Sequence, residues 1–200
     1  QSRAQDFYYQ YFDGADTSIW TSIMIEIDSS DRLWQIGTPQ KTIFSSASTF
    51  PNVIVTDTLN IYPTNDTSSF IAKYVPTDNM GIFALNWVQK LDYEAGKDGG
   101  RIEYSTDGGV TWDNTFNNPY IYNFFGYDFA NYDTLGVDDY VLTGRDTNWR
   151  DIWLCFESSW LNTVTDTVFF KFTSISDSNQ TNQEGWMIDN LLSHITWTHT

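Results

Sequence analysis

Residues 98–112 read DGGRIEYSTDGGVTW, and this stretch indicates the fold class more clearly than any other part of the chain. Two Gly-Gly pairs predict turns on either side of a short strand. Within the strand, Ile102 and Tyr104 alternate with polar residues, which is the two-residue period of a strand with one buried face. Residues 107–109, Asp-Gly-Gly, supply the small side chains and positive φ angles that a tight hairpin turn needs. The stretch therefore predicts a β-scaffold motif rather than a catalytic one.

The hairpin in this stretch has the pattern Ser-x-Asp-x-Gly-x-x-Trp and resembles the Asp-box of sialidases and other propeller proteins. Ser105 and Asp107 are expected to bond the amides of the turn, and Trp112 is expected to cover the bend. A propeller needs its motif or its strands to recur at the period of a blade, whereas this pattern occurs once in the chain. The missing repeat opposes a propeller sialidase.

The composition of the chain favours a β protein. Its 200 residues are enough for one substantial core, and sandwiches of this length are commonly single domains. The aromatic share is high, with 14 Phe, 12 Tyr and 9 Trp, and strands favour aromatic and β-branched residues. No segment shows the sustained apolar period of an amphipathic helix. We therefore expect an all-β protein with little helix, in which residues 1–200 form a single domain.

Apolar alternation predicts further strands, separated by turn signals rich in Gly, Pro, Asn and Asp. One face of each is marked by apolar residues two apart: Ile23, Ile25 and Ile27; Phe83, Leu85 and Trp87; Ile152, Leu154 and Phe156; Val168, Phe170 and Phe172. Residues 113–139 show little periodicity, which predicts long decorated loops. Strands that recur in this way predict a sandwich of two antiparallel sheets.

The charge of the chain limits its partners. Acidic residues outnumber basic ones by 26 to 10, and the formal net charge is -16. Because such a surface repels polyanions, we expect neither nucleic acid nor an anionic membrane as a partner. No apolar run approaches the length that spans a membrane, and the first residues lack the basic and apolar regions of a signal peptide. Because Gln1 is not an initiator methionine, the sequence favours a processed or trimmed chain.

Cysteine and histidine offer little chemistry here. Cys155 is the single cysteine, so an intrachain disulfide is excluded, and its strand context favours a small hydrophobe over a nucleophile. His194 and His199 lie five apart without a third residue in a recognisable zinc spacing. We expect neither a reactive thiol nor a zinc site.

A pair of carboxylates is the remaining catalytic alternative. Glycoside hydrolysis needs two carboxyl groups that face one bond. The acidic residues that lie close together around the hairpin are Glu94, Asp98, Glu103 and Asp107. Sequence does not give the distance between them, and hairpin geometry already explains Asp107. A glycoside hydrolase is therefore the third of three alternatives, behind a binding module and a structural domain.

Aromatic residues in an Asn- and Asp-rich region favour carbohydrate binding. Sugar C–H faces stack on flat aromatic rings, while Asp, Asn and Gln side chains bond the hydroxyl groups. The candidate ligand-binding residues are Tyr120, Tyr122, Tyr127, Tyr132 and Trp149, with Phe124, Phe125 and Trp160 nearby. The alternative is that these rings belong to the core, where strand-face aromatics usually lie.

The order of landmarks resembles a known family. These landmarks are Phe12-Asp13-Gly14 with Trp20, then WQIGTP, VTDTLNIYP, the stretch from Asp98 to Trp112, LTGRDTNW, VFFKF and EGWMIDN. Together they resemble the jelly-roll family that includes MAM domains, reelin-type repeats and the accessory domains of immune inhibitor A-like secreted proteins. The likeness covers residues 7–197 and is closest to versions in large surface or secreted proteins of the Bacteroidetes.

This resemblance implies a jelly-roll sandwich without catalytic machinery, secreted or at the cell surface and joined to other domains of one longer polypeptide. It implies an adhesion or interaction module with a glycan or protein ligand. The alternative is a structural spacer domain that supports a neighbouring catalytic domain. Animal members are cross-linked by disulfides, which this chain cannot form. Their adhesion partners are therefore not inferred for this chain.

The resemblance also implies a structural calcium ion where the first and last strands meet. Asp13 and Asp189 stand at the matching positions, and Asp57 is near a third. Ca²⁺ takes six to eight oxygen ligands, so these carboxylates with carbonyls and water would suffice. The alternative is that Asp13 caps a turn and Asp189 bonds the backbone at the start of a strand.

Overall fold

The computed structural model describes residues 6–13, 24–27, 33–74, 80–126, 132–135, 139–157 and 167–197. Within these ranges the chain forms fourteen strands and one short 3-10 helix at Thr115–Asn117. The strands are β1 (Asp6–Gln10), β2 (Met24–Ile27), β3 (Trp34–Gly37), β4 (Val53–Thr56), β5 (Thr67–Tyr74), β6 (Met80–Asp92), β7 (Gly99–Ser105), β8 (Asp113–Asn114), β9 (Ile121–Phe125), β10 (Tyr132–Thr134), β11 (Tyr140–Leu142), β12 (Arg145–Glu157), β13 (Val168–Ile175) and β14 (Gly185–Trp197).

These strands form two antiparallel sheets of seven strands each. Sheet A has the order β3-β4-β14-β6-β12-β9, with β1 also paired to β14. Sheet B has the order β10-β11-β7-β13-β5-β2, with β8 also paired to β7. The chain passes between the sheets at most of its connections, for example from β4 to β5 and from β6 to β7. The predicted all-β jelly-roll sandwich with little helix is therefore confirmed, whereas its extent as a single domain stays a prediction.

The core lies between the two sheets and follows the predicted alternation. The alternating residues of β6, β12 and β13 are buried: Phe83, Leu85 and Trp87; Ile152, Leu154 and Phe156; Val168, Phe170 and Phe172. Aromatic rings pack across the interior, with Phe70 stacked on Phe172 at a centroid distance of 4.8 Å. Since every second residue of a strand faces the core, the residues between these face outward.

The Gly99-Gly100 pair lies inside β7 and does not form a turn, so this part of the hairpin prediction is wrong. A Cβ atom on Gly100 would lie 2.3 Å from the Trp186 ring, because the indole packs directly over the backbone there. The indole N–H of Trp186 donates to Gln89 Oε1 at 3.0 Å, and that of Trp87 donates to the same oxygen at 2.8 Å. Glycine is needed at position 100 for close packing.

The second half of the motif forms the predicted hairpin turn. Ser105 Oγ accepts the amide of Gly109 at 2.9 Å, and Asp107 Oδ1 accepts that of Thr111 at 2.9 Å. The indole N–H of Trp112 donates to the Gly109 carbonyl at 3.0 Å and so closes the bend. Gly109 adopts the expected positive φ, at 88°. These roles of Ser105, Asp107 and Trp112 are confirmed.

Residues 38–52, which we call the strap, connect β3 to β4 and cross part of the outer face of sheet A. Phe44 of the strap is fully buried against Val53, Val55 and Met187, which form a second apolar cluster on that face. The strap thus covers outward-facing apolar residues that a simple sandwich would expose to water.

Charged side chains hold the strap in place. The ammonium group of Lys41 donates to the carbonyls of Thr56 at 2.6 Å and Glu184 at 2.7 Å. The Glu184 carboxylate accepts the amides of Ile43 and Phe44 at 2.9 and 2.7 Å. Burial lowers the pKa of Lys41 to about 8, although the charges of Glu184, Asp57 and Asp92 oppose the shift.

The prediction of long loops over residues 113–139 is wrong in part. This region contains β8, the 3-10 helix, β9 and β10. Weak periodicity hid these strands because each has five residues or fewer. In the described part of the chain, no helix is long and apolar enough to cross a membrane.

Candidate functional site

The outer face of sheet A also carries a partly exposed tryptophan among polar side chains. Ile152 and Leu154 point into the core, so Trp153 between them points outward. Its neighbour across the sheet on β6 is Asn86. With Asp151 of β12 and His194 of β14, these residues form what we call the tryptophan face.

Hydrogen bonds and ring contacts fix the orientation of Trp153. Its indole N–H donates to Asp151 Oδ2 at 3.1 Å, and its ring centroid lies 4.7 Å from that of His194 at an interplanar angle of 40°. Asn86 Nδ2 donates to Asp151 Oδ1 at 2.5 Å and to the Ile152 carbonyl at 2.9 Å. The four side chains therefore hold one another in a single arrangement.

The electrostatics of the tryptophan face suit an uncharged ligand. Burial lowers the pKa of His194 below its ordinary value, although the negative charge of Asp151 opposes the shift, so the imidazole is neutral near pH 7. A carboxylate has about four lone-pair sites, so Asp151 can accept further hydrogen bonds beside those from Asn86 and Trp153. The face can therefore offer a flat apolar ring together with acceptors for hydroxyl groups.

Sequence reasoning missed the tryptophan face, although its signal was present. Trp153 lies between the alternating apolar residues Ile152, Leu154 and Phe156, so the sequence alone predicts that its ring faces away from the core. The predicted ligand-binding rings lie elsewhere in the sequence, at residues 120–132 and at Trp149. Asn86 and His194 carry no such signal, because the sheet brings them to Trp153 from other parts of the chain.

The predicted ligand-binding aromatics do not form one loop cluster in the described part of the chain. Tyr120 is 42% exposed just before β9. Tyr122 lies in β9 of sheet A and Tyr132 in β10 of sheet B, so their strands belong to different sheets. Tyr127 lies outside the described residues. The other predicted residue of this group, Trp149, lies in β12 and packs against the apolar residues of the strap and the strands beneath it, which we call the strap cluster: Phe44, Val53, Val55 and Met187.

Two of the predicted calcium ligands lie near each other beneath the strap. Asp189 is fully buried, and its carboxylate accepts the amides of Thr49 at 2.7 Å and Asn190 at 2.8 Å. Burial raises the pKa of Asp189 to about 6, and the negative charge of Asp13 adds to the shift. The Asp13 carboxylate accepts the amide of Asn52 at 3.1 Å, so both groups bond the end of the strap.

Asp57, the third predicted ligand, caps its own turn. The residue has a left-handed φ of 59°, and its carboxylate accepts the amides of Leu59 at 2.7 Å and Asn60 at 3.0 Å. Burial raises the pKa of Asp57, but hydrogen bonds from Leu59 and Asn60 outweigh it and lower the value overall. The calcium site built on all three residues stays a prediction.

Among the described residues, the acidic groups close enough to share one metal ion are those of Glu94, Asp98 and Asp177, with ligand atoms within 4.8 Å of one another. Asp98 is fully buried, and its carboxylate accepts the hydroxyl of Tyr62 at 2.6 Å and the amide of Asp177 at 2.8 Å. The cluster can hold a metal ion. Sequence could not show this, because Asp177 comes from a segment far along the chain.

Three of the four carboxylates considered for glycoside hydrolysis are engaged in structural contacts, and the fourth, Glu94, belongs to the acidic cluster with Asp98 and Asp177. Asp98 is buried with both oxygens bonded, and Asp107 lies within the hairpin turn. Glu103 forms an ion pair with Lys171 at 3.0 Å on the outer face of sheet B. Hydrogen bonds from the Thr111 hydroxyl and amide and from Ser105 lower the pKa of Asp107 to about 2, so it is a poor proton donor at neutral pH.

One cavity of about 280 Å³ lies between the strap and the turn after β4. Its walls are Gln40, Lys41, Thr42, Leu59, Ile61 and Glu184. The cavity contains none of the predicted site residues. Cys155 lies elsewhere, on β12, and burial raises the pKa of its thiol, which agrees with an unreactive residue.

No family model and no curated protein matches the sequence of this chain. Among solved structures it is similar to a cleaved adhesin domain of Lys-gingipain, with 11% identity over 95% of this chain and 99% of that one and a TM-score of 0.49. A second cleaved adhesin domain of Lys-gingipain, from Porphyromonas gingivalis, has 10% identity over 96% and 99% and a TM-score of 0.43.

A carbohydrate-binding module in complex with β-1,4-galactotriose is similarly distant, with 10% identity over 87% of this chain and 88% of that one and a TM-score of 0.43. Likenesses this remote carry no argument about the ligand or the site of the present chain. Its membership in the family of MAM and reelin-type domains stays a prediction.

Proposed function

We propose that this chain is a non-catalytic extracellular adhesion module that binds carbohydrate on the tryptophan face. The observation that carries the proposal is the fixed, partly exposed indole of Trp153 beside Asp151 and Asn86. Sugar recognition combines stacking on a flat ring with hydrogen bonds to hydroxyl groups, and this face offers both. Holding the ring and its polar neighbours in place before binding lowers the entropy cost of association.

The position of Trp153 distinguishes it from most other aromatic residues. Trp34, Trp87 and Trp186 are buried in the core, where their area stabilises the sandwich. Trp153 lies on the opposite side of sheet A, so its ring does not contribute to that core. A single exposed aromatic residue is common on protein surfaces, so the proposal rests on the polar groups that surround this ring.

Calcium is proposed as a structural ion rather than as part of the ligand site. Asp13 and Asp189 supply the carboxylate oxygens that Ca²⁺ prefers, and backbone carbonyls and water can complete six to eight ligands. The raised pKa of Asp189 reflects burial and the like charge of Asp13, and a bound cation would offset both. Binding there would hold the strap against sheet A and stabilise the folded state by linkage.

A structural spacer domain is the second candidate function. It is favoured by the burial of many aromatic rings, which accounts for much of the aromatic composition without any ligand. Both candidates place the chain in a secreted or cell-surface protein, joined to other domains. They differ in whether the isolated chain binds a glycan.

A glycan array tests the proposal, followed by calorimetric titration of each positive glycan. Two variants form a matched pair: Trp153→Ala on sheet A and Trp112→Ala on sheet B, because both residues are partly exposed on outer faces. We expect Trp153→Ala to weaken binding at least tenfold and Trp112→Ala to leave it unchanged. Circular dichroism melting curves check that both variants fold. A wild-type chain that binds no glycan would favour the spacer domain.

A further inference from the structure

Resting on the proposed function, we infer that the carbohydrate is a neutral oligosaccharide that lies along β12 and contacts both Trp149 and Trp153. The ligand would then reach beyond the tryptophan face, along β12 to Trp149 beside the strap. The bound segment would be an internal part of the oligosaccharide rather than its end.

Trp149 lies on the same side of sheet A as Trp153. The two residues are four apart in β12, but the pairing of β12 with β6 shifts register between Asp146 and Arg150, so the contacts of Trp149 decide which face it occupies. Trp149 packs against the strap cluster of Phe44, Val53, Val55 and Met187, which lies on the outer face. Four residues of strand span at most about 13 Å, which is longer than one sugar ring. One hexose therefore does not reach both indoles.

The region between the two indoles is polar and accessible. Asp151 is exposed there, and its neighbour across the sheet is Val88 of β6, which is partly exposed. The ammonium group of Lys90 lies 5.2 Å from the centroid of the Trp149 ring and can donate to a hydroxyl group at the strap end. Hydrogen-bonding groups thus occur at Trp153, at Trp149 and between them.

The shape of the surface favours an internal segment over a chain end. Both indoles are partly exposed, and both lie on strand β12 rather than on a described loop. A ligand that lies along a strand contacts it with its side and leaves both of its ends free. The cavity between the strap and residues 57–61 lies apart from this face, since none of its walls belongs to β12.

The charges along β12 disfavour an acidic oligosaccharide, although Lys90 of the neighbouring strand β6 carries one positive charge near Trp149. Asp151 and Glu157 point outward near Trp153, and both are exposed. Arg150 is paired with Asp146 at 2.5 Å, so its charge is already compensated. Since the whole chain carries a net charge of -16, uronic acid or sulfated units would meet repulsion at both long and short range. Hydroxyl-rich neutral units avoid this cost.

The test is a calorimetric length series with defined probes. Gluco-, galacto- and manno-oligosaccharides of one to six hexose units serve as neutral ligands, and oligogalacturonates of the same lengths serve as acidic ones. For the wild-type chain we expect affinity to rise with length in at least one neutral series and to be absent for oligogalacturonates. We expect Trp149→Ala to lose about threefold to tenfold in affinity for the longest neutral probe only, the size of one aromatic contact.

The variants separate this inference from the proposed function. If Trp149→Ala binds the longest probe as tightly as the wild type while Trp153→Ala does not, the ligand does not follow β12 and the proposed function stands. If Trp153→Ala binds normally, or if the wild type binds no probe, both fail. Tight binding of oligogalacturonates overturns the neutral ligand. Because Trp149 packs on the strap cluster, Trp149→Phe replaces the alanine variant should that one unfold.

Discussion

The outer faces of the two sheets each carry a partly exposed tryptophan, but different groups contact the two rings. On sheet B, the ammonium group of Lys171 lies 4.2 Å from the centroid of the Trp112 ring. The centroid of the Phe169 ring lies 6.4 Å from the same centroid. On sheet A, Trp153 contacts the neutral imidazole of His194 and the carboxylate of Asp151. The ring on sheet B is covered by a cation of the protein itself.

The charges of sheet B are also paired with one another. Glu103 accepts Lys171 at 3.0 Å, and Arg101 contacts Asp139 at 3.2 Å. Lys73 of β5 pairs with Glu26 of β2. These cross-strand pairs leave few free groups for a ligand, and each contributes modestly to stability because the surface is solvated. The ring of Trp112 is therefore less available to a ligand than that of Trp153, because the cation that covers it is itself held by Glu103.

The largest expected effect concerns the strap, which covers part of the outer face of sheet A. Phe44→Ala should lower the free energy of unfolding by about 3 to 5 kcal/mol, because it removes a fully buried ring from the strap cluster. Phe50→Ala is the matched control on the same strap, since Phe50 is 82% exposed and its loss should cost less than about 0.5 kcal/mol. Urea unfolding followed by circular dichroism gives both values. Equal losses would show that the strap does not cover sheet A.

Asp189 should give the next largest effect, through pH and calcium. Its folded pKa of about 6 lies above the unfolded value, so without metal the folded state binds the proton more tightly. Stability should therefore rise by up to about 3 kcal/mol as the pH falls from about 6 to about 4. Asp189→Asn should remove this dependence. Calcium needs the ionised carboxylate, so added calcium should stabilise the wild type most above pH 6.

Thermal unfolding with calcium and with chelator, over a pH series, measures both parts of this prediction. Asp57→Asn is the control, because the Asp57 carboxylate bonds its own turn and its loss should leave the response to chelator intact. If neither calcium nor the Asp189→Asn substitution changes the melting temperature, no calcium ion is bound beneath the strap. A chelator effect that Asp189→Asn retains would assign the ion to Glu94, Asp98 and Asp177 instead.

The smallest effect should come from the hairpin that carries Trp112. The pKa of Asp107 is lowered to about 2, so its stabilising bonds are fully present above its ordinary value near 4 and are lost as the pH falls through about 2. Asp107→Asn should thus lower the melting temperature slightly at pH 6 and not at pH 2. Thr106→Ala, at an exposed residue of the same turn that does not ionise, should show no such difference. A constant effect of Asp107→Asn from pH 6 to pH 2 would contradict the account.

Much of the fold could be predicted because the alternation of residues along strands survives in the sequence. The buried faces of β6, β12 and β13 follow directly from it, and so does the turn at residues 107–109. Gly99-Gly100 misled the prediction because a glycine pair that clears a ring of the opposite sheet has the same local sequence as a turn. The short strands between residues 113 and 134 were hidden because pairing in the sheets, and not their own pattern, defines them.

The candidate site was harder to predict for a different physical reason. The outward position of Trp153 can be predicted from its alternation with the apolar residues of β12. Its partners Asn86 and His194 cannot, because they lie 67 residues earlier and 41 residues later in the sequence. The group Glu94, Asp98 and Asp177 is assembled in the same way. Sites built across sheets depend on register, which a single sequence does not specify for strands so far apart.

The most direct test of the central claim is a nitrogen-15 NMR spectrum of the nine indole N–H groups during titration with a neutral oligosaccharide from the length series. Trp153→Phe and Trp112→Phe identify the two signals that matter. We expect the Trp153 signal to shift with saturating ligand and the Trp112 signal to stay fixed. A shift at Trp112 without one at Trp153, or no indole shift for a glycan that binds, would contradict carbohydrate recognition on the outer face of sheet A.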